Sequence, residues 1–275
     1  MKERARSAIV AAAFAAAILS APAVSAAPVD LELVLLTDVS GSVDGADFSL
    51  MRGGYASAFQ NAAVQASLVA GPIGSIAVSL VYFSDSAIQS IGWTLIDSAA
   101  SSDAFATAIQ NTARPGSVGN GTGLTNGINF AAGLFANNGF EGTRRVIDVV
   151  GDGSDSTACG SVMNCVPLQN ARANALASGV TSINALWIDD RDFFGDDPND
   201  IIDALAYGTT NVIGGANAFQ GIVQDFEGFQ AGIANKLERE ISNPDPEPDP
   251  VPEPATLALL GLAFTGLGLT RRRRV

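Results

Sequence analysis

The sequence predicts an α/β fold in which a mostly parallel central sheet is flanked by helices. Two observations carry this reading. Short apolar runs of buried-strand length alternate along the chain with segments whose apolar residues recur at helical spacing, an order that places helices over both faces of a parallel sheet. The ~215 residues between two specialised ends suit one such domain and leave little for a second.

The elements follow in order. Leu31 to Thr37 is a strand, and residues 46–68 carry Phe48, Met51, Tyr55, Phe59 and Ala63 at helical spacing. Residues 75–83 and 88–93 read as two strands joined by Ser84, Asp85 and Ser86. Helices are expected over 103–112 and 124–137, a strand over 145–150, a helix over 168–177 and a strand over 179–188. Residues 218–241 close the domain as a helix with Phe219, Ile222, Phe226, Phe229, Ile233 and Leu237 on one side. Tyr82, Trp93 and Trp187 fall within strands and read as core.

Composition bounds the chemistry. The 275 residues include no histidine, which excludes imidazole zinc sites, Ser-His-Asp and Cys-His nucleophile systems, and histidine pH switching. A net charge of −13 and a pI near 4.2 exclude nucleic acid as a partner, since phosphates demand a basic stripe. Lys2, Arg4, Arg6 and Arg271 to Arg274 hold seven of the 15 basic residues, so the middle of the chain is more acidic than the average. Such a body attracts divalent cations.

Both ends read as addresses. Residues 1–26 combine a basic start, an Ala-rich apolar stretch and the small residues Val24-Ser25-Ala26, the pattern of an export signal cleaved between Ala26 and Ala27. The domain spans 27–243, and residues 244–250 alternate proline with acid as an extended spacer. Residues 251–275 open with Val251-Pro252-Glu253-Pro254 and close with four arginines. The uncharged run 255–270 would span only ~24 Å as a helix, against a hydrocarbon core of ~30 Å. Its arginines should stay cytoplasmic and leave the domain outside the membrane.

The order of these parts resembles the PEP-CTERM sorting signal. That resemblance implies processing by an exosortase in the envelope of an exopolysaccharide-producing Gram-negative bacterium, with the helix a transient anchor. A permanent C-terminal anchor is the alternative.

The site is sought behind the strands. Asp38-Val39-Ser40-Gly41-Ser42 follows the first, Gly151-Asp152-Gly153 follows the 145–150 strand, and the loop 119–125 brings Thr122 and Thr125 just before a helix. All the polar donors are oxygens, which selects a hard cation such as Mg²⁺ or Mn²⁺. Taken alone, Asp38-x-Ser40-x-Ser42 also suits a turn that caps the next helix.

Asp38-x-Ser40-x-Ser42 with the distant Thr122 and Asp152 resembles the metal-ion-dependent adhesion site (MIDAS) of the von Willebrand factor type A domain, over roughly residues 29–241. Residues 146–153 and 212–216, with the helix after them, are similar to a group of secreted bacterial type A proteins of unassigned function. The resemblance implies that Asp38, Ser40, Ser42, Thr122 and Asp152 form a metal site. Ser40, Ser42 and Thr122 are then direct ligands and the carboxylates act partly through water. The resemblance implies Thr122 rather than Thr125, because Thr122 aligns with the family's threonine ahead of the small residues Gly123 and Gly127.

Cys159 and Cys165, close together in an exported chain, point to a disulfide at the rim of the site. The run 189–200 is the densest in acid and reads as a solvated loop, with Ca²⁺ as the alternative; Phe193 and Phe194 lie within it.

The expected function is that of a surface-sorted, non-enzymatic adhesion or binding protein, its partner a protein with an exposed Asp or Glu that completes the metal shell. Two other classes are a metal-assisted hydrolase of phosphate or sulfate esters and a purely structural extracellular matrix protein.

Overall fold

Leu31, Leu33 and Leu35 of β1 (Ala27–Asp38) belong to one apolar cluster, and Val34 and Leu36, which alternate with them, belong to another. A strand covered on both faces cannot show polar alternation, which explains the unbroken apolar run. The structure, a computed structural model, describes residues 26–160, 162–189 and 200–242. Residues 1–25 of the expected export signal 1–26, residues 190–199 of the acidic run with Phe193 and Phe194, and residues 243–275, which hold the expected spacer 244–250 and the sorting motif, lie outside the described residues.

β1 is followed by α1 (Gly45–Phe59), α2 (Ala62–Leu68), β2 (Ile76–Phe83), β3 (Ala87–Ile96), α3 (Ala99–Asn111) and α4 (Leu124–Gly133). Then come β4 (Phe140–Gly151), the short α5 (Ser156–Cys159), α6 (Val166–Ala177), β5 (Ser182–Ile188), α7 (Asp200–Asn211), β6 (Gly214–Gly215), β7 (Gln220–Val223) and α8 (Phe229–Ser242). The strands form one sheet in the order β3-β2-β1-β4-β5-β6. β1, β2, β4 and β5 run parallel, β3 and β6 antiparallel. β7 lies parallel on β5 beyond β6, so two short strands share one edge: Ser182 and Ile183 pair with β6, Ala185 to Ile188 with β7.

Helices cover both faces, as the alternation of strands and helices predicts. One core layer packs Met51, Tyr55 and Phe59 of α1, Phe105 and Ile109 of α3, and Phe229, Ile233 and Leu237 of α8 against the sheet. The other packs Leu124 and Ile128 of α4, Leu168 and Ala171 of α6, and Tyr207 of α7. Tyr82 and Trp187 are core residues, and the half-buried Trp93 packs on Phe135 with ring centroids 5.5 Å apart. Glu32, inside β1, is buried without loss because Gly142 N (2.7 Å) and Arg145 Nε (3.2 Å) both donate to its Oε1.

Two expectations are corrected. The helix expected over 46–68 is two helices, because Asn61 turns out of the first and accepts from Ala63 N at 2.8 Å as the cap of the second. The helix expected over 218–241 begins only at Phe229. Its first part is β7, drawn into the open edge of β5 that β6 leaves uncovered, with Gln220 Oε1 accepting from Trp187 Nε1 at 2.9 Å. The helical spacing of Phe219, Ile222 and Phe226 therefore has no helix behind it. α7, β6 and α5 were not anticipated.

Candidate metal centre

Parallel pairing of β1 with β4 sets Thr37 beside Val150, so the two strands end level and deliver Asp38 and Asp152 to the same end of the sheet, beyond the carboxyl ends of its parallel strands. The turn after β1 folds back on itself: Ser40 N donates to Asp38 Oδ1 at 2.7 Å. Ser40 Oγ lies 3.1 Å from Ser42 Oγ, and Ser42 Oγ donates to Asp152 Oδ1 at 2.9 Å. From the other side Thr122 Oγ1 donates to Ser40 Oγ at 3.3 Å. The five residues singled out in the sequence thus form one connected set of oxygen atoms.

Four of the five are buried and Ser42 is exposed, so the set meets solvent on one side. Asp38 is fully buried, and its Oδ2 has no hydrogen-bond partner among the described residues. Burial holds the Asp38 carboxyl well above the usual carboxylate range and the charge of Asp152 pushes it the same way, against the pull of the Ser40 hydrogen bonds and Arg114. Gly151 keeps space beside the bare oxygen, since a Cβ there would come to 3.3 Å from Asp38 Oδ2. Two crowded carboxylates, one oxygen without a partner and three hydroxyls fit a hard divalent cation. Among the described residues no three carboxylate or thiolate side chains converge to hold a metal ion, so a cation at this site must rely on hydroxyls.

Supporting residues hold the loops, and several escaped the sequence reading. Asp85, in the turn between β2 and β3, accepts from Asn120 N (3.0 Å), Gly121 N (2.8 Å) and Thr157 Oγ1 (3.3 Å). The two backbone hydrogen bonds lead in holding its carboxyl below the ordinary value. The loop packs so tightly there that a Cβ on Gly119, whose φ is +96°, would collide with Asp85. Arg114 Nη2 donates to the carbonyls of Val39 (2.8 Å) and Ser40 (2.7 Å), fixing the turn after β1 from outside. Contacts of this kind leave no local pattern. The only hint of Arg114 is its isolation as the sole cationic residue between Arg52 and Arg144.

Thr122 and Thr125 have different surroundings. Thr125 gives both N (2.8 Å) and Oγ1 (2.6 Å) to Asp155 Oδ2, while Thr122 turns to Ser40. The Thr122 carbonyl accepts from Ser156 N (2.9 Å) and Thr157 N (3.1 Å), which ties α5 to the site. Cys159, at the end of α5, is disulfide-bonded to Cys165, with Cα atoms 5.6 Å apart. The sorting residues Val251, Pro252, Glu253 and Pro254 lie outside the described residues, as does the acidic run read as a solvated loop with Ca²⁺ as the alternative, apart from Asp189 and Asp200 at its ends. No helix among the described residues is long and apolar enough to cross a membrane.

The family model described as "Protein of unknown function (DUF1194)" matches residues 28–245, and the PEP-CTERM protein-sorting motif matches residues 250–274. No curated protein matches the chain in sequence. Among solved structures, the pilus adhesin SpaC from Lactobacillus rhamnosus GG is 15% identical with a TM-score of 0.52, covering 78% of this chain and 31% of its own. Proximal thread matrix protein 1 from the mussel byssus, solved with a zinc-occupied MIDAS motif, is 17% identical with a TM-score of 0.50, covering 80% and 47%. A von Willebrand factor type A protein from Catenulispora acidiphila is 15% identical with a TM-score of 0.48, covering 78% and 43%. The chain spans less than half the length of each of these three. The fold is that of the von Willebrand factor type A domain, with a C-terminal sorting signal behind it.

Proposed function

This chain belongs to the DUF1194 family, and from that premise we propose that it is an exported, surface-sorted binding protein that works through a divalent cation. Ser40, Ser42 and Thr122 would hold Mg²⁺ or Mn²⁺ directly, with Asp38 and Asp152 bound to it or acting through water. The observation that carries the reading is the buried, partnerless Oδ2 of Asp38 within a set of five linked oxygen-bearing side chains.

The cation would supply a positive charge that three neutral hydroxyls leave largely unneutralised, open to an anionic ligand. The exposed Ser42 side of the site is where an Asp or Glu carboxylate of a partner protein would enter. The net charge of −13 favours collection of the cation. Hydrolysis of an ester would require a positioned general base and acid, and the chain has no histidine to offer for either role. The same fold in a pilus adhesin and in a byssal matrix protein is compatible with a binding role. Residues 1–26 would serve as the export signal, 244–250 as a spacer and 251–275 as the exosortase substrate, placing the domain at the cell envelope, cell surface or extracellular matrix of a Gram-negative bacterium.

Calorimetric titration of the purified exported protein with Mg²⁺ and Mn²⁺ tests the site. Binding that disappears in Asp38→Ala while circular dichroism is unchanged is the expected result. Undiminished affinity in that variant rejects the assignment.

A further inference from the structure

The chain contains two lysines, Lys2 in the export segment and Lys236 in α8. Lys236 is only 5% exposed, although lysine is among the residues least often buried. Its Nζ contacts Asp148 Oδ1 of β4 and, at 2.6 Å, Oε1 of Glu240, one turn further along the same helix. Both carboxyl groups are completely buried, and Asp148 Oδ2 and Glu240 Oε2 have no hydrogen-bond partner among the described residues. Asn184 Nδ2 donates to Glu240 Oε1 at 2.9 Å and is itself fixed by Phe219 N, which donates to its Oδ1 at 3.0 Å. The Phe219 ring lies 5.6 Å from Nζ, and the buried Tyr55 is near enough to Asp148 to feel its charge.

One ammonium facing two carboxylates would leave a net negative charge in the core, which an apolar interior does not tolerate. Retaining one more proton makes the cluster neutral. Burial and the neighbouring Glu240 both push the Asp148 carboxyl well above its ordinary value, against the pull of Lys236. Burial works against the Lys236 ammonium, but the attraction of Asp148 and Glu240 outweighs it, so the ammonium is the resting form. The neutral cluster has a second arrangement with the same number of protons, an amine beside two carboxylic acids. There a lone pair on Nζ touches a protonated carboxyl group, held in place by the fold and shielded from water.

We propose that Lys236 and Asp148 condense to form an intramolecular amide bond that joins α8 to β4, with Glu240 carrying the proton. In the amine form Nζ attacks Cγ of Asp148 and the C–N bond forms. Glu240 accepts a proton from the nitrogen at one oxygen and gives its own to the departing hydroxyl. The C–O bond breaks and one water leaves. Glu240 ends as it began, and no oxidant or reductant is needed. The product replaces two buried ionisable groups by one neutral amide, so the core no longer holds a buried ammonium and carboxylate.

Mass spectrometry of the unaltered protein decides this. Trypsin cuts after Arg145, Arg172, Arg191 and Arg239, and an acylated Lys236 blocks cleavage at that position. Digestion of the purified exported protein, unfolded first, should yield residues 146–172 joined to residues 192–239, lighter than their sum by one water. Cys159 and Cys165 lie in the same fragment, so the disulfide does not produce this link. Recovery of 146–172 free, with full cleavage at Lys236, overturns the proposal. A link from 192–239 to the fragment beginning at Glu240 overturns the choice of Asp148. Glu240→Gln keeps the side chain's shape and should leave the fragments unlinked in a folded protein. Linking to the extent seen in the unaltered protein would remove Glu240 from the reaction.

Discussion

Ser42 Oγ donates to Asp152 Oδ1 at 2.9 Å, closing a contact between residues 110 apart in sequence. Through it the turn after β1 and the turn after β4 behave as one surface, and the carboxylates they carry share a confined volume. Without a cation that arrangement is costly, because Asp38 is desolvated and faces a second acid.

Asp38→Asn should therefore separate stability from binding. The amide keeps an oxygen for Ser40 N and removes a charge, so chelator-treated protein should gain about 1 kcal/mol. The unaltered protein should gain about 2.7 kcal/mol at a cation concentration a hundred times the dissociation constant, and the variant nothing. Urea denaturation with chelator and with Mg²⁺ measures both.

Asp85→Ala removes the acceptor that holds Asn120 N, Gly121 N and the Thr157 hydroxyl. Thr122 then loses its fixed position relative to Ser40. Cation affinity should fall about tenfold, with the domain still folded. Calorimetry on the variant checks this, and an unchanged dissociation constant contradicts it.

Adjacent glycines of α1 should respond in opposite directions. A Cβ on Gly53 meets nothing within 4 Å among the described residues, so Gly53→Ala should stabilise by about 0.5–1 kcal/mol through the helical backbone alone. A Cβ on Gly54 would come to 2.6 Å from Cδ1 of the buried Phe229, so Gly54→Ala should cost about 1–3 kcal/mol. Thermal unfolding of the two variants provides the comparison.

Breaking the Cys159–Cys165 bridge by the double serine substitution should cost about 2 kcal/mol, the loop entropy expected for a sequence separation of 6. Because Ser156 N and Thr157 N are bonded to the Thr122 carbonyl, cation affinity should weaken as well. Loss of stability with no change in affinity would show that α5 does not support the site.

The central strands were legible because burial on both faces writes itself as an unbroken apolar run, as in β1 and β2. The turn Asp38-x-Ser40-x-Ser42 was legible for a similar reason, its polar atoms lying within five residues of a strand end. The closing part of the domain was obscured by coincidence. Phe219, Ile222 and Phe226 have helical spacing, yet Phe219 and Ile222 are drawn onto the free edge of β5, and no window of sequence contains that edge. Asp85 and Arg114 were missed because each acts on backbone atoms far along the chain. Lys236 and Glu240 show the same limit in reverse: four residues apart on a helix, they have the sequence pattern of a solvated pair, and both are buried.

Arg144 gives the attachment of α8 a mechanical meaning. Its guanidinium donates to the carbonyls of Glu240 and, at 3.2 Å, Ile241, at the very end of α8. Tension applied at the C-terminal end of the domain meets this clamp first and passes to β4, a strand paired along both edges. The small strands β6 and β7, which a peeling load would strip from the edge of β5 one hydrogen bond at a time, are bypassed. A domain tethered by its C-terminus and gripping a partner at the opposite end of its strands would thus carry the load in shear through the middle of its sheet.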